Sequence, residues 1–398
     1  MNVADATFEC SAFAGKDSVG IGHNVPQEAR QTFAEAIVDV GRYSLVSRRR
    51  FTLTQEARMD PKMKAAQISR AGGDWELVER NLPEPGPAQV RVKVEVCGIC
   101  HSDVVVKDGL WPGLRYPRVP GHEIAGRIDR LGAGVTDWRE GQRVGVGWHG
   151  GHCFECEHCR RGDFAMCVHR KVTGVDFDGG YAEYMIAPSA ALAAIPEDLP
   201  AEEAGPFMCA GVTVYNALRH SGARGGDVVA VHGIGGLGHL GVQYARRLGF
   251  KTIAIGRGQD KEPLARQLGA HDYIDAGAVD AAAELQKVGG ARVILATAPS
   301  ATAISALVEG LSVDGTLLVP AAPPEPLTVN VMSLILGRRS VAGWYSGTAR
   351  DSQDTLEFSL LSGVHPMIEK YPLGKVAEAY EQMHSGKARF RVVLTMGV

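Results

Sequence analysis

The sequence lacks the features that mark membrane proteins and nucleic-acid-binding proteins. No stretch approaches the roughly 20 apolar residues that a transmembrane helix needs, so we expect a soluble protein with no membrane partner. A basic excess is missing too, because 42 lysines and arginines stand against 45 aspartates and glutamates, a formal net charge of −3. Nucleic-acid-binding domains are usually clearly basic, which argues against such a partner. The 398 residues, 45% of them hydrophobic, suffice for two or three globular domains.

The amino-terminal region also lacks the hallmarks of a targeting segment. No secretory signal is visible, and a mitochondrial transit peptide would avoid acidic residues such as Asp5, Glu9 and Asp17. Residues 29–40 alone have a helical pattern there, and Met63 would serve equally well as a start. We expect residues 1–62 to be an extension without a catalytic part, with disorder as one interpretation, and we expect a cytoplasmic protein.

The eight cysteines do not form the pattern of a secreted disulfide framework. Four of them crowd into one short segment: Cys153, Cys156, Cys159 and Cys167. In a long chain such spacing indicates metal ligands. Four thiolates on one loop complete a tetrahedral shell around zinc and leave no open position for a substrate. The sequence therefore predicts a structural zinc site, with a chance cluster of free thiols as the alternative.

Two different strand patterns indicate an α/β protein. In the first part, Val90, Val92, Val94 and Val96 alternate with polar residues, which is typical of a half-buried strand in an antiparallel, turn-rich domain. From about residue 227, short apolar strands alternate with helix-length segments, which predicts a doubly wound parallel sheet. A strand-like run at residues 390–394 could return to the first domain.

The first strand of the second part, at residues 228–231, leads into a glycine loop that reads Gly-Ile-Gly-Gly-Leu-Gly. Gly233 permits the tight turn, Gly235 lets the backbone approach a pyrophosphate, and Gly238 permits close packing of strand and helix. Gly236 and Leu237 complete the loop, and the helix that follows offers unpaired N–H groups to phosphates. Because the loop follows a strand and opens a helix, it predicts a dinucleotide site. A glycine turn without a ligand is the alternative.

No acidic residue stands where an NAD site usually has one, at the end of the second strand of this sheet. Gly256 occupies the position and Arg257 follows it. A carboxylate would repel a 2′-phosphate, whereas a guanidinium can pair with it. We therefore favour NADP over NAD. The alternative is that Arg257 is a solvated loop residue and the protein takes either cofactor.

A more scattered set of residues could form a second metal site. Cys100, His122 and Cys209 make up the Cys₂His set that holds catalytic zinc with one position open. Taken singly, His122 could equally be a hydrogen-bonded structural histidine and Cys209 a small core residue. Cys97 and Cys100 also form a CxxC pair, which could be misread as half of a zinc ribbon or a redox pair.

Taken in order, these motifs resemble the zinc-containing alcohol dehydrogenases of the medium-chain dehydrogenase/reductase superfamily. The resemblance is carried by residues 97–103 (CGICHSD), 121–123 (GHE) and 209–215 (CAGVTVY), together with the cysteine loop and the glycine loop. It implies a GroES-like, mostly antiparallel β catalytic domain into which a Rossmann domain is inserted. We expect the catalytic domain over residues 63–211, the Rossmann domain over 212–344 and a return to the catalytic domain over 345–398.

The resemblance also implies roles for single residues. Cys100, His122 and Cys209 would hold catalytic zinc, so that each subunit binds two zinc ions. Glu123 would sit behind that metal and Asp103 would orient the zinc-bound histidine. Further matches are Ser102 with the substrate oxygen, Thr213 with the nicotinamide, His101 and Arg391 with the pyrophosphate, and Trp111 and Trp148 with the substrate pocket.

The reaction implied is hydride transfer between a small primary alcohol, aliphatic or benzylic, or its aldehyde and the nicotinamide. Many relatives pass the proton onward through a histidine five residues after the first zinc cysteine, where this chain has Val105. Ser102 is therefore expected to pass protons through the cofactor ribose to water. A polyol dehydrogenase on the same scaffold is the nearest alternative, and a zinc-dependent nucleic-acid module a remote one. By resemblance we expect a homotetramer, or else a homodimer.

Overall fold

The computed structural model describes residues 61–397. Apart from its last two residues, the expected amino-terminal extension, with the candidate helix at residues 29–40, lies outside this range. Within the described range, no helix combines the length and the apolar composition that a membrane span requires.

The first part of the described chain consists mainly of strands. They are β1 (Lys62–Ile68), β2 (Trp75–Asn81), β3 (Gln89–Ile99), β4 (Ile124–Leu131), β5 (Arg143–Val146), β6 (His149–Gly151), β7 (Lys171–Val172), β8 (Tyr184–Pro188) and β9 (Leu192–Ala194). The helices of this part are α1 (Val104–Lys107), α2 (Glu157–Arg160) and α3 (Ala201–Pro206). A π-helical turn, Phe207–Gly211, joins α3 to α4 (Val212–Arg219).

Strands and helices alternate in the second part, as the sequence pattern predicts. The order is β10 (Val228–His232), α5 (Gly238–Arg247), β11 (Lys251–Gly256), α6 (Glu262–Gln267), β12 (Asp272–Asp275), α7 (Ala281–Lys287), β13 (Ala291–Ala296), α8 (Ala301–Ala306), β14 (Leu311–Val319), α9 (Val331–Gly337) and β15 (Ser340–Gly343). The chain ends with α10 (Ala349–Ser362), β16 (Ile368–Pro372), α11 (Val376–His384) and β17 (Arg391–Thr395). Short 3₁₀ turns lie at His101–Asp103, Phe164–Met166, Ser189–Ala191, Gln259–Lys261, Leu307–Gly310 and Leu373–Lys375.

The second part forms the predicted doubly wound sheet. Its six strands are all parallel and lie in the order β12-β11-β10-β13-β14-β15. The strand order reverses between β10 and β13, and ligands of such sheets bind in the crevice at the carboxyl ends of the strands at this point. The glycine loop leaves β10 at that place, so the fold puts it at the expected binding crevice.

The first part forms a mostly antiparallel sheet in the order β16-β17-β3-β4-β5-β9, with β8 also paired to β3. Val90, Val92, Val94 and Val96 of β3 are buried, which confirms the predicted alternation. Arg91 is buried as well, because its guanidinium pairs with the carboxylates of Asp129 and Glu84.

The chain terminus returns to this first sheet. Strand β17, predicted at residues 390–394, spans Arg391–Thr395 and pairs antiparallel with β3, with Val392 opposite Ile99. Arg391 therefore lies next to the carboxyl end of β3, where Cys100 follows. This pairing brings the last strand beside the residues of the candidate metal site.

Candidate active site

The three residues of the Cys₂His set come from separate elements and meet at one point. Cys100 follows β3, His122 precedes β4, and Cys209 lies in the π-helical turn. Their ligand atoms, together with a carboxylate oxygen of Glu123, all lie within 4.8 Å of one another. Cys100, His122 and Glu123 are buried and Cys209 is half-buried.

The geometry of this cluster fits zinc. A tetrahedral site with Zn–S bonds of about 2.3 Å has edges of about 3.8 Å, and the Sγ atoms of Cys100 and Cys209 are 3.8 Å apart. Nε2 of His122 is buried and has no hydrogen-bond partner, so this nitrogen is free to bind a metal ion. A hydrogen bond from the Cys209 thiol lowers the pKa of the Cys100 thiol well below its ordinary value. Because the Oε1 of Glu123 is paired with Arg391, Cys100, His122 and Cys209 are the three donors that we assign, and they leave the fourth tetrahedral position open as a catalytic site requires.

Asp103 fixes the orientation of the histidine. Its Oδ1 lies 3.1 Å from Nδ1 of His122, and its Oδ2 accepts hydrogen bonds from the backbone N–H of Cys100 (2.9 Å) and the hydroxyl of Tyr181 (2.7 Å). A carboxylate on one ring nitrogen selects the tautomer that leaves the other nitrogen free for a metal. Tyr181 was not predicted from the sequence. Its ring lies against Gly121, where a Cβ would be 2.4 Å from ring atom Cδ1.

Glu123 and Arg391 form a buried ion pair behind the cluster. The guanidinium Nη2 of Arg391 donates to Oε1 of Glu123 and to the backbone carbonyl of Ile99. Space around Glu123 is tight, since a Cβ on Gly98 would lie 2.0 Å from its Oε2. On its other side Arg391 reaches the glycine loop, where a Cβ on Gly236 would lie 2.8 Å from Nη1. Arg391 therefore contacts the surroundings of the metal cluster and the dinucleotide loop.

The other residues assigned by resemblance lie around the same cluster. Ser102 is half-buried in the 3₁₀ turn that directly follows Cys100. His101 is exposed and its ring stacks on that of His384, with centroids 5.7 Å apart. Thr213 lies one helical turn after Cys209, and its hydroxyl donates to Oγ of Ser346 (2.9 Å).

The glycine loop has the shape that a pyrophosphate needs. Gly233 has φ +91°, which favours glycine, and a Cβ on Gly238 would lie 1.6 Å from the carbonyl oxygen of Gly233. Gly235 is exposed with open space around its Cα, so its backbone faces outward. Leu237 is the residue before α5, whose amino terminus follows the loop. The loop is thus closed toward the protein and open toward the crevice.

The end of β11 has a buried glycine and an exposed arginine. Gly256 is the last residue of the strand and pairs with Asp275 on β12. Arg257 follows, with its side chain exposed. The end of β11 therefore has no carboxylate of its own.

The four-cysteine loop brings its thiols together into a second cluster. Sulfur–sulfur distances are 3.6 Å for Cys153–Cys167, 3.9 Å for Cys156–Cys167 and 4.0 Å for Cys153–Cys159. These distances lie near the edge of about 3.8 Å that a zinc tetrathiolate requires. A hydrogen bond from the backbone N–H of Cys159 lowers the pKa of the Cys156 thiol to about 6. The chemistry and spacing of these donors fit zinc with no open position.

Trp148 forms a wall of the metal cluster, and Trp111 packs against it. The indole of Trp148 meets the ring of His122 edge-on at 4.8 Å, and the two indoles lie 6.0 Å apart. Val105 joins both tryptophans in packing against a small apolar cluster centred on Val106. Val105 therefore lies in an apolar environment.

Sequence reasoning also missed a polar group on the Trp148 side of the site. The rings of His149 and Tyr345 are 6.3 Å apart, and the guanidinium of Arg170 lies 5.6 Å from the Tyr345 ring. Nδ1 of His149 and the hydroxyl of Tyr345 are buried without hydrogen-bond partners. The one available signal was that His149 directly follows Trp148, since Tyr345 and Arg170 are distant in sequence.

Comparison with known proteins agrees with this geometry. The family described as alcohol dehydrogenase GroES-like domain matches residues 86–197, and the family described as zinc-binding dehydrogenase matches residues 236–360. The alcohol dehydrogenase patD of Penicillium expansum is 44% identical over 333 residues, which cover 84% of this chain and 97% of that protein.

Solved structures with the same fold bind either nicotinamide cofactor. The structure of CAD from Helicobacter pylori complexed with NADP(H) has a TM-score of 0.76 at 28% identity, covering 85% of this chain and 99% of that one. A structure described as an NAD-dependent alcohol dehydrogenase has a TM-score of 0.78 at 26% identity, covering 84% of this chain and 100% of that one. The fold alone therefore does not select between NAD and NADP.

Proposed function

Since the chain belongs to the zinc-dependent alcohol dehydrogenases of the medium-chain dehydrogenase/reductase superfamily, we propose that it interconverts small primary alcohols, aliphatic or benzylic, and their aldehydes with NADP(H) as the preferred cofactor. The observation that carries the site assignment is the buried, unpartnered Nε2 of His122 beside the thiols of Cys100 and Cys209. These donors open toward Trp148 on one side, and Arg391 connects their surroundings to the glycine loop on the other.

Zinc held by Cys100, His122 and Cys209 would act as a Lewis acid that lowers the pKa of an alcohol hydroxyl toward neutrality. The residues around it hold the substrate and move its proton. Asp103 keeps Nε2 of His122 directed at the cluster, through the contact between Oδ1 and Nδ1. The hydroxyl of Ser102 relays the proton: during oxidation it accepts the substrate's proton while releasing its own toward the cofactor ribose, and during reduction the relay runs in reverse. Because residue 105 is a valine, the proton passes from Ser102 through the cofactor ribose to water, without a histidine at that position.

The four-cysteine loop would hold a second zinc ion with a structural role. Its support is the set of sulfur–sulfur distances, together with the absence of an open position among four thiols. Both clusters need free thiolates, which are maintained in a reducing compartment. We therefore include a cytoplasmic location in the proposal.

The preference for NADP rests on two residues at the end of β11. Arg257 is exposed there and could pair with a 2′-phosphate, as guanidinium groups commonly do. Gly256 offers no carboxylate to bind a ribose hydroxyl or to repel that phosphate.

We also propose a homo-oligomer, a tetramer or a dimer. Helix α9 exposes a group of large apolar side chains: Val331 (63% exposed), Met332 (55%), Ile335 (61%) and Leu336 (78%). Strand β15, which follows α9, is the last strand of the parallel sheet. An exposed apolar group beside a sheet edge favours association with another protein surface. Light scattering after size-exclusion chromatography measures the assembly, and a monomeric mass would reject this part of the proposal.

The first experiment follows absorbance at 340 nm with zinc-replete protein and a panel of substrates. Ethanol, benzyl alcohol, their aldehydes and sorbitol are each assayed with NAD(H) and with NADP(H). We expect turnover of the primary alcohols or aldehydes, with a higher kcat/KM for NADP(H). Faster turnover of sorbitol would move the substrate class to polyols. A higher kcat/KM with NAD(H) would mean that Arg257 does not select the cofactor. No turnover with either cofactor would contradict the site assignment.

A further inference from the structure

The space beside Gly256 is occupied by a tyrosine from the neighbouring strand. Strands β11 and β12 are parallel, with Ala254 opposite Tyr273 and Gly256 opposite Asp275. A Cβ on Gly256 would lie 2.6 Å from the hydroxyl oxygen of Tyr273, and 3.1 and 3.2 Å from ring atoms Cε2 and Cζ. The hydroxyl is therefore the atom that closes this position to a side chain.

This position is the one at which a dinucleotide site of this type places its ribose-binding acid. A carboxylate there would need a Cβ and Cγ in the volume that the Tyr273 hydroxyl fills. Contacts below 3.0 Å cannot persist without a shift of one partner. An acidic side chain at position 256 is therefore disfavoured by Tyr273 on β12, whose hydroxyl fills the space that the side chain would need.

Tyr273 also holds the turn that carries Arg257. Its hydroxyl donates a hydrogen bond to the carbonyl oxygen of Gly258 (2.7 Å), a residue with φ +94°. From the other side, the N–H of Gly258 donates to Oδ1 of Asp275 (2.8 Å), which also accepts the N–H of Gly277 (2.9 Å). The backbone on one side of Arg257 is therefore fixed by two residues of β12. The carboxylate of Asp275 is engaged in this turn.

We propose that Tyr273 is a specificity-determining residue for the dinucleotide. Its hydroxyl excludes a ribose-binding acid from position 256 and holds the turn that presents Arg257 to a 2′-phosphate. The inference rests on the proposed NADP(H)-dependent function. It adds that the cofactor preference is set jointly by positions 256 and 273, which lie on different strands.

The steric part is tested by a substitution that adds a methyl group and no charge. Gly256→Ala is made in the natural chain and in a Tyr273→Phe background, and dissociation constants for NADPH and NADH are measured by fluorescence. In the natural chain we expect both cofactors to bind about tenfold more weakly, because the overpacked methyl group must displace the Tyr273 hydroxyl and with it the turn at Gly258. In the Tyr273→Phe background the same alanine should have little effect, because the ring edge can shift once the hydroxyl is gone. Equal losses in the two backgrounds would overturn the steric argument.

The specificity part uses Gly256→Asp in the same two backgrounds. The ratio of kcat/KM for NADP to that for NAD is measured for the natural chain, both single variants and the double variant. We expect the double variant to shift toward NAD by about tenfold more than the product of the two single effects, since residues in contact do not act independently. The proposal would be overturned if Gly256→Asp alone shifted the kcat/KM ratio toward NAD as far as the double variant does.

Controls separate this inference from the broader function. Tyr371→Phe removes a hydroxyl on β16 of the other sheet and should leave the ratio unchanged, and thermal unfolding verifies that each variant is folded. The natural chain alone tests the preference for NADP. If the natural chain favours NAD, the proposed preference for NADP is wrong. The role of Tyr273 is still decided by whether the effects of substitutions at positions 256 and 273 are non-additive. If the change in the kcat/KM ratio of the double variant equals the product of the changes in the two single variants, the role of Tyr273 is rejected, whichever cofactor is preferred.

Discussion

If the protein binds two zinc ions as proposed, replacing Cys156 by alanine should remove one of them and open the cysteine loop. The four thiols of this loop share no residue with the cluster of Cys100, His122 and Cys209, so the second ion should stay. The substitution leaves three thiols on a loop that is largely exposed, so water and a mild chelator should reach the ion there, whereas Cys100 and His122 of the other cluster are buried.

The size of the effect follows from the length of the loop. Cys153 and Cys167 enclose a segment of 15 residues, and cross-linking a segment of that length restricts the unfolded chain by about 3 kcal/mol in the chain-entropy model. A loss of that amount increases the population of the opened loop about 100-fold. The loop contains Arg160 and Arg161, both exposed, which trypsin can cleave once the loop opens.

Zinc is counted by colorimetric titration after denaturation, and cleavage after Arg160 and Arg161 is followed by mass spectrometry at low trypsin concentration. Cleavage that is slow relative to loop closing tracks the open population, so the rate should rise about 100-fold. Cys97→Ala is the matched control, because Cys97 is a buried thiol outside both clusters. Two zinc ions in the Cys156→Ala protein, or loss of one ion without faster cleavage, would refute the reasoning.

Further predictions concern the catalytic cluster. Val105→His should change the pH–rate profile of alcohol oxidation below about pH 6.5, because the apolar surroundings of position 105 lower the pKa of an imidazole from its ordinary value; an unchanged profile and rate would mean that the missing relay is irrelevant. Gly98→Ala should lower the free energy of unfolding in urea by about 1–3 kcal/mol, because its Cβ has no room beside the carboxylate of Glu123; wild-type stability would show that this carboxylate can move away. Arg391→Met should cost about 3–5 kcal/mol in the same assay, because it leaves a buried carboxylate unpaired. Adding Glu123→Gln should recover part of that loss, and no recovery would contradict the ion-pair argument.

Local motifs could be interpreted from the sequence alone. The glycine loop needs only its strand and helix neighbours to be recognised, and the parallel sheet around it is confirmed. The cysteine loop likewise keeps its four thiols within one segment. Cys100 and Cys209, by contrast, lie far apart in sequence and meet because α3, which leads into the π-helical turn, packs against β3 and β4. Their joint assignment came from family resemblance, since spacing alone left other interpretations open.

Contacts across strands could not be predicted in the same way. The hydroxyl of Tyr181 reaches Asp103, and that of Tyr273 reaches the turn after Gly256, through the pairing of distant segments. Alternation indicates which face a residue takes, but it does not identify the residue opposite on the next strand. The sequence does not indicate β2 or β15 for a related reason: their residues are mostly half-buried or exposed and show no strict apolar alternation.

The position of Arg391 has a thermodynamic consequence. Its guanidinium touches Glu123 behind the metal cluster, and its Nη1 lies against the backbone of Gly236 in the dinucleotide loop. We expect a side chain placed between the two sites to make the two binding equilibria depend on each other, which cofactor titration of the metal-free and zinc-loaded protein would measure. Linkage is reciprocal, so the factor by which bound metal changes the affinity for the dinucleotide must equal the factor by which the dinucleotide changes the affinity for the metal. If the coupling is favourable, cofactor bound at the glycine loop would slow the loss of zinc from the proposed site at Cys100, His122 and Cys209.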